Sequence, residues 1–444
     1  MKRPLRAIGR YEIIRRLGKG GMGVVYKALL PSIGKIVALK LLKPSEVLQI
    51  TLGDTQLEEI FLTEAQTLSG LQHHNLVSIL DFDRDQHGNR FFTMEYYCNN
   101  LGDMIGEGFR VEEPSRVIAP DKVIYYGSQI LSALEYLHTR NIIHRDIKPH
   151  NVLITDSDIV KICDFGMALV ENVSFSGPAN MQIGSPCYTP PEQKKTPHEV
   201  DRRADCYSTA VLLYRMLTGT LPGMQSFPLS LINPEYSEKW DGFFRQGLSW
   251  DPNSRFQSAE EMKQELSKLE YHQETTPISS DAPLPSGEKP IIRSEPVNFC
   301  GRKARDYFGL NSLHRPATYH PHSFETNGMV VSDCTTDLTW QLGGSLFPLN
   351  WDESRDFIKT LNSTHHAGFS HWRLPTLSEL LTLLSPPDTI SPAVFANQPQ
   401  KRLWSCDHHG NQERWYLNLD MGFAGTQDVE CRHHVKAVCN PVTR

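Results

Sequence analysis

The stretch His144-Arg145-Asp146-Ile147-Lys148-Pro149-His150-Asn151 places a carboxylate, an ammonium two positions on and an amide oxygen within eight residues. That order suits transfer of a phosphoryl group to a hydroxyl. Asp146 can accept the hydroxyl's proton, Lys148 can neutralise charge on the moving group, and Asn151 can offer an oxygen to Mg²⁺. The plain alternative is a polar turn after a helix expected over residues 122–140. The pattern is tied to one mechanism, so the rest of the chain decides between the two.

Working outward, Tyr11 to Leu17 alternates as a strand does and runs into Gly18-Lys19-Gly20-Gly21-Met22-Gly23-Val24-Val25. Glycines at this spacing let backbone N–H groups approach a triphosphate without Cβ interference. A dinucleotide site is the usual rival, but its glycines open a helix, whereas Val24 to Ala28 reads as strand. Ile36 to Leu42 is a second apolar strand with Lys40 in its middle, suited to holding phosphate. Such a lysine needs an anion to orient it, and the helical spacing of Leu57 to Leu71 offers Glu58, Glu59 and Glu64. Downstream, Asp164-Phe165-Gly166 follows a short strand, Val160 to Ile162. Cys163 reads as a small core residue rather than a redox sensor.

Together these segments resemble the bacterial Ser/Thr protein kinases, a eukaryotic-like family, over residues 11–270. The resemblance implies a bilobal α+β fold. The phrase Phe61-Leu62-Thr63-Glu64-Ala65, with His74-Asn75-Leu76-Val77 after it, selects Glu64 as the partner of Lys40. It further implies Met94 as gatekeeper, backbone contacts from Glu95 and Tyr97 to adenine, and Leu153 as the pocket floor. Leu17, Gly18, Gly20, Gly23, Val25 and Ala38 would complete the ATP site. Asn151 and Asp164 would hold Mg²⁺, with Mn²⁺ as an alternative ion, and Phe165 would set the active or inactive state. Gly184 to Glu192 is similar to the substrate-docking segment, with proline in place of the alanine of Ala-Pro-Glu. In that family Glu192 would pair with Arg255, and Asp205 would brace the catalytic loop. Lys148 and Ser185 favour Ser/Thr specificity. Ser174 and Ser176, on a loop of small residues, are candidate phosphosites for pairing with Arg145. Residues 219–250 are shorter than the family pattern, which leaves part of a substrate-docking helix in question.

Residues 271–323 are rich in proline and serine and read as a linker, with some order near Asp306-Tyr307-Phe308. From residue 324 the composition turns globular, with five of the seven tryptophans. Asp337-Leu338-Thr339-Trp340, Asn350-Trp351-Asp352-Glu353-Ser354, Trp372-Arg373-Leu374-Pro375-Thr376 and Leu403-Trp404-Ser405 resemble the C-terminal domain of the Legionella collagen-like adhesin, and more loosely C-type-lectin-like and sulfatase-modifying folds. The resemblance implies a small α+β recognition module over 324–441 whose ligand is unknown. Two Cys-x-His-His units, Cys406 to His409 and Cys431 to His434, could in principle give a tetrahedral zinc site. Their spacing departs from usual ligand pairs, so zinc is not expected there and solvent-facing histidines are. Glu379 reads as a helix-surface carboxylate within reach of Arg373.

Composition narrows the classes further. At 444 residues the chain is long enough for two or three domains, and 45 Lys and Arg against 51 Asp and Glu give a net charge of −6. Neither half is basic, so no nucleic-acid partner is expected. No apolar run approaches the roughly 18 residues of a membrane span, and residues 1–10 lack the apolar stretch of a signal peptide. The nine cysteines are scattered, as reduced cytosolic thiols would be. The expectation is a cytoplasmic kinase acting on protein substrates through ATP and Mg²⁺, with a recognition module behind it. A pseudokinase-like scaffold whose tail does the binding is the rival.

Overall fold

Two-residue periodicity organises the first part of the chain. Val37, Leu39 and Leu41 share a buried cluster with Ile8, Tyr11, Val24, Tyr26, Ala28 and Phe91, so the alternate residues Ala38 and Lys40 fall on the opposite face. The sheet comprises β1 (Ala7–Ile8), β2 (Tyr11–Lys19), β3 (Gly23–Leu30), β4 (Lys35–Leu42), β5 (Ile79–Arg84) and β6 (Arg90–Glu95) in the antiparallel order β1-β2-β3-β4-β6-β5. Its register sets Lys40 opposite Val25 and Phe92, and Ala38 opposite Lys27 and Met94. This computed structural model describes residues 7–108, 110–166, 168–170, 185–197, 199–223, 227–270, 290, 292–301, 303–321, 323–386 and 400–440. Gly184, Ser174, Ser176 and the first part of the expected linker lie outside them.

The chain divides into two units, Met1–His272 and Gln273–Arg444. Between β4 and β5 of the first runs α1 (Glu46–Ser69), which starts well before the expected Leu57 because Ser45 caps Leu48. The helical path breaks inside it at Gly53 (φ 74°, ψ 161°). After β6 come β7 (Asn99–Asn100), α2 (Leu101–Ile105) and α3 (Pro120–His138). Helix α3 begins two residues earlier than its apolar spacing suggested, since Pro120 is tolerated in a first turn. It buries Val123, Ile130, Leu131, Leu134 and Leu137.

Short strands then frame the loops of interest: β8 (Ile142–Ile143), β9 (Val152–Ile154), β10 (Val160–Ile162) and β11 (Leu169–Val170). The β9–β10 hairpin is bracketed by residues 144–151 and 163–166, and the Cys163 N–H donates to the Asn151 carbonyl at 3.0 Å. The unit ends with α4 (Pro191–Lys195), α5 (Arg203–Thr218), α6 (Leu229–Ile232), α7 (Glu238–Gly247) and α8 (Ala259–Leu266). In the short segment after residue 219, the described residues form a single four-residue turn, α6, before α7 begins.

In the second unit α9 (Lys303–Tyr307) precedes β12 (Phe324–Asn327), β13 (Val330–Asp333) and β14 (Leu338–Gln341). Helices α10 (Trp351–Ser363) and α11 (Leu377–Leu381) follow, then β15 (Arg402–His409), β16 (Glu413–Asn418), β17 (Phe423–Asp428) and β18 (Val438–Cys439). These strands form a four-stranded sheet, β12-β13-β14-β18, and a three-stranded one, β15-β16-β17. Val331, Trp340 and Val438 enter one core with Leu377, Leu403, Trp415 and Leu417, while Val330, Ala437 and Cys439 enter another with Leu361 and Trp372.

Part of the expected linker differs from its reading. Ala304, Phe308 and Leu310 are buried in the first of these cores, and Val297 and Phe299 pack against it. Their apolar side chains are too widely spaced to show a period, yet each finds a slot in the module.

Candidate active site

Lys40 leaves β4 on the face opposite the outer cluster and meets two carboxylates. Its Nζ donates to Glu64 Oε1 at 2.6 Å and to Asp164 Oδ1 at 3.0 Å. Of the three candidate partners on α1, Glu58 instead bonds Arg90 at 2.8 Å. Burial alone would lower Lys40, but Asp164 and Glu64 outweigh it and hold the ammonium above its usual range. The Lys40 charge in turn draws Asp164 down to about 2. Burial raises Glu64, whose Oε2 is enclosed without a hydrogen-bond partner. Asp164 sits at φ 65°, its carboxylate half exposed, while Phe165 is buried against His144 with ring centroids 4.9 Å apart. The Cys163 thiol beside it is pushed up by burial, which suits an inert core residue.

The second cluster lies in the loop between β8 and β9. Lys148 Nζ donates to Asp146 Oδ2 at 2.7 Å, and Asn151 Nδ2 donates to the same oxygen at 3.0 Å and to the Asp146 carbonyl at 2.9 Å. Asn151 thereby spends its nitrogen within the loop, leaving its amide oxygen for a cation. Ser185 donates to the other carboxylate oxygen twice, from its N–H at 3.0 Å and its hydroxyl at 3.1 Å.

Asp205, buried on α5, fixes this loop from below by accepting from the N–H groups of His144 and Arg145 at 2.9 and 2.8 Å and pairing with His138 at 2.9 Å. Gln193 donates to the Arg145 carbonyl at 2.8 Å. Neither His138 nor Gln193 was singled out from the sequence, since His138 acts through Asp205 on α5 and Gln193 reaches the loop from 48 residues away. Glu192 and Arg255 form a two-pronged ion pair at 2.6 and 2.8 Å.

The glycine turn joins β2 to β3. A Cβ at Gly23 would stand 2.4 Å from the Leu41 carbonyl oxygen, so only glycine lets the strands approach there. At Gly18 no neighbouring atom lies within 4 Å of a Cβ position, and at Gly20 the nearest is at 4.0 Å. Leu17 is exposed, Val25 and Leu153 are half-buried, and Ala38 is buried. Glu95 ends β6 with its N–H donating to the Ser78 carbonyl at 3.3 Å, and Tyr97 follows the strand. Open space at Gly18 and Gly20, one ammonium on β4 and side-chain oxygens on two neighbouring loops are groups that a nucleoside triphosphate with Mg²⁺ would use, an ion that keeps several waters and takes few protein ligands.

Residues 11–269 match the family described as protein kinase domain, and residues 329–439 match the Lcl C-terminal domain. The chain belongs to the protein kinase family. Among curated relatives it is 33% identical over 275 residues to a probable serine/threonine-protein kinase of Clostridium acetobutylicum, covering 59% of this chain and 40% of the relative. It is 34% identical over 288 residues to a second, from Streptomyces coelicolor, covering 60% and 41%. The chain therefore spans about two fifths of the length of these relatives. The kinase domain of PknI from Mycobacterium tuberculosis is 25% identical, with 59% of this chain and 96% of that one covered and a TM-score of 0.45.

The tail's candidate residues resolve differently. Glu379 is a buried carboxylate, not a surface one: Arg373 grips it at 2.8 and 2.5 Å, and it closes a capping box with Thr376. Of the histidines expected to face solvent, His433 is 1% exposed between Trp404 and Tyr416, at centroid distances of 4.3 and 4.5 Å. His409 pairs with Glu413 at 2.9 Å and His434 with Ser345. Among the described residues no group of three or more His, Cys, Asp or Glu side chains could hold a metal ion, and no helix is long and apolar enough to cross a membrane.

Proposed function

We propose that the chain is an ATP-dependent Ser/Thr protein kinase. What supports this reading is a pair of clusters drawn from distant segments, Lys40–Glu64–Asp164 and Asp146–Lys148–Asn151, on loops joined by the bond from the Cys163 N–H to the Asn151 carbonyl. ATP would lie beneath Gly18, Gly20 and Gly23, between Leu17, Val25, Ala38 and Leu153, with adenine against the backbone of Glu95 and Tyr97. Lys40, oriented by Glu64, would hold its phosphates. A divalent ion held by Asn151 and Asp164 would neutralise charge on the transferring group. Asp146 takes the proton of a protein Ser or Thr hydroxyl as the hydroxyl oxygen bonds to the γ-phosphorus; the bond to the bridging oxygen breaks and ADP leaves with that electron pair. Lys148 offsets the charge that develops.

We further assign residues 11–270 to catalysis in the cytoplasm and the tail module to recognition of a ligand or protein that selects targets. The test is ³²P transfer from labelled ATP with Mg²⁺ to the chain itself and to a serine-rich acceptor. Asp146→Asn should lose about 10²- to 10⁴-fold in rate, the usual worth of a positioned base. Equal signals from wild type and variant would instead favour a binding scaffold.

A further inference from the structure

The glycine turn is fastened to the start of α1. Within the turn, Gly20 N–H donates to the Gly23 carbonyl at 2.9 Å. Past the end of β4 the ladder continues onto it: Lys43 N–H donates to the Met22 carbonyl at 3.1 Å, and Ser45 N–H to the Gly21 carbonyl at 2.8 Å. Leu48 then lies over the turn, its Cδ1 only 3.0 Å from where a Gly21 Cβ would be. Ser45 accepts the Leu48 N–H at 3.4 Å, which fixes that first helical turn.

The same helix carries Glu64, but a break separates the two ends. Gly53 adopts φ 74° and ψ 161°, which L residues rarely do, while nothing lies within 4 Å of its Cβ position. Gln49 Nε2 donates to Asp54 Oδ1 across the break at 2.8 Å. On the first segment Val47 and Ile50 are 73% and 86% exposed, whereas Leu48 is half-buried. What locates this segment on its inner side is therefore the turn it touches.

We propose that residues 43–52 are a strap that couples the glycine turn to the Glu64 segment, with Gly53 setting the angle and Leu48 as the positioning residue. At the observed hinge angle Leu48 reaches Gly21 while Glu64 reaches Lys40. A straight helix through residue 53 would point its first segment in a different direction and give up one of the two contacts. Closure of the turn over phosphate and seating of Glu64 on Lys40 are thus one event. The kinetic consequence rests on the phosphoryl-transfer reading; the mechanical coupling does not.

Two readouts on the full chain keep these separable. In amide exchange without nucleotide, Leu48→Ala should speed exchange both in residues 18–25 and in 57–66, and Leu48→Met should restore it. In steady-state kinetics, Leu48→Ala and Gly53→Ala should each raise KM for ATP by about fivefold with a smaller change in kcat. Their combination should do no more than the larger single change, because both act through one contact. Faster exchange confined to residues 43–52, or KM effects that multiply, would overturn the strap. If no phosphoryl transfer is detectable in wild type, the exchange comparison alone decides it.

Discussion

Two carboxylate clusters, one in each unit, lie against cations yet finish the job differently. In the C-terminal unit Asp407 is fully enclosed, and its two oxygens accept Arg293 at 2.9 and 2.7 Å, Val297 N–H at 2.8 Å and Leu377 N–H at 2.7 Å. Glu379 is similarly saturated by Arg373 and Thr376. In the N-terminal unit Glu64 keeps a buried oxygen without a hydrogen-bond partner, and Asp164 accepts one bond from Lys40 while its carboxylate stays half exposed. A saturated buried carboxylate has nothing left to offer a ligand and acts as a brace. One left open beside a fixed cation is poised to take up another charge, at a standing cost to stability.

The largest effect should come from breaking the open cluster. Lys40→Met should reduce phosphoryl transfer by about 10²-fold or more with only a modest fall in the thermal midpoint, since Glu64, already raised by burial, can take up a proton once the ammonium is gone and the half-exposed Asp164 is reached by water. Parallel initial-rate and melting measurements check both halves. A large loss of stability would mean that Lys40 braces the fold as Arg293 does.

Breaking the saturated cluster should invert this pattern. Asp407→Ala leaves Arg293 and two backbone N–H groups without their acceptor, and should cost the C-terminal unit ~3–5 kcal/mol. Tryptophan fluorescence can follow it, because five of the seven tryptophans lie beyond residue 324. Phosphoryl transfer to a small peptide should be retained.

How much of this contrast was readable from residues alone depended on the range of the interactions. Asp146, Lys148 and Asn151 are neighbours in the chain, so their chemistry is visible as a motif, and the geometry brings them together. Lys40 stands out as the one charge within the apolar run Ile36 to Leu42, and Asp164 as the carboxylate that opens Asp-Phe-Gly after a short strand. The choice among Glu58, Glu59 and Glu64 needed family resemblance, since helical spacing leaves all three available. Burial of His433 and Glu379 was illegible. His433 is enclosed by Trp404 and Tyr416, from β15 and β16, and Glu379 is covered only once Arg373 folds back over it. The early start of α1 escaped as well, because Gly53 reads as a helix breaker unless the contact at Gly21 is known.

Lys436, buried in the C-terminal unit, sharpens the comparison through pH. Lys436 is 1% exposed, donates to the carbonyls of Gln341 and Leu342, and is lowered by burial from 10.5 to about 7. Between those values the unfolded chain holds a proton that the folded chain has released. Stability should therefore rise as pH increases from about 7 towards 10 and gain nothing from this group below 7. Denaturant melts of wild type should show that slope, and Lys436→Met should flatten it. A slope of the opposite sign would mean that an unrecognised anion keeps Lys436 charged.

The smallest effect provides the control for distance. Lys359 and Asp356 on α10 meet at 2.8 Å, as close as one arm of the Arg373–Glu379 pair, yet both side chains are 72% exposed. Water solvates each partner when the other is removed, and holding a long lysine side chain against its partner costs entropy. Lys359→Ala should therefore shift the thermal midpoint by no more than about 2 °C, against a far larger drop for Asp407→Ala. If differential melting found the two shifts equal, short contact distance would be enough to make a brace. The division between saturated and open carboxylates would then lose its physical basis, because burial and completeness of hydrogen bonding are all that distinguish Asp407 from Asp356.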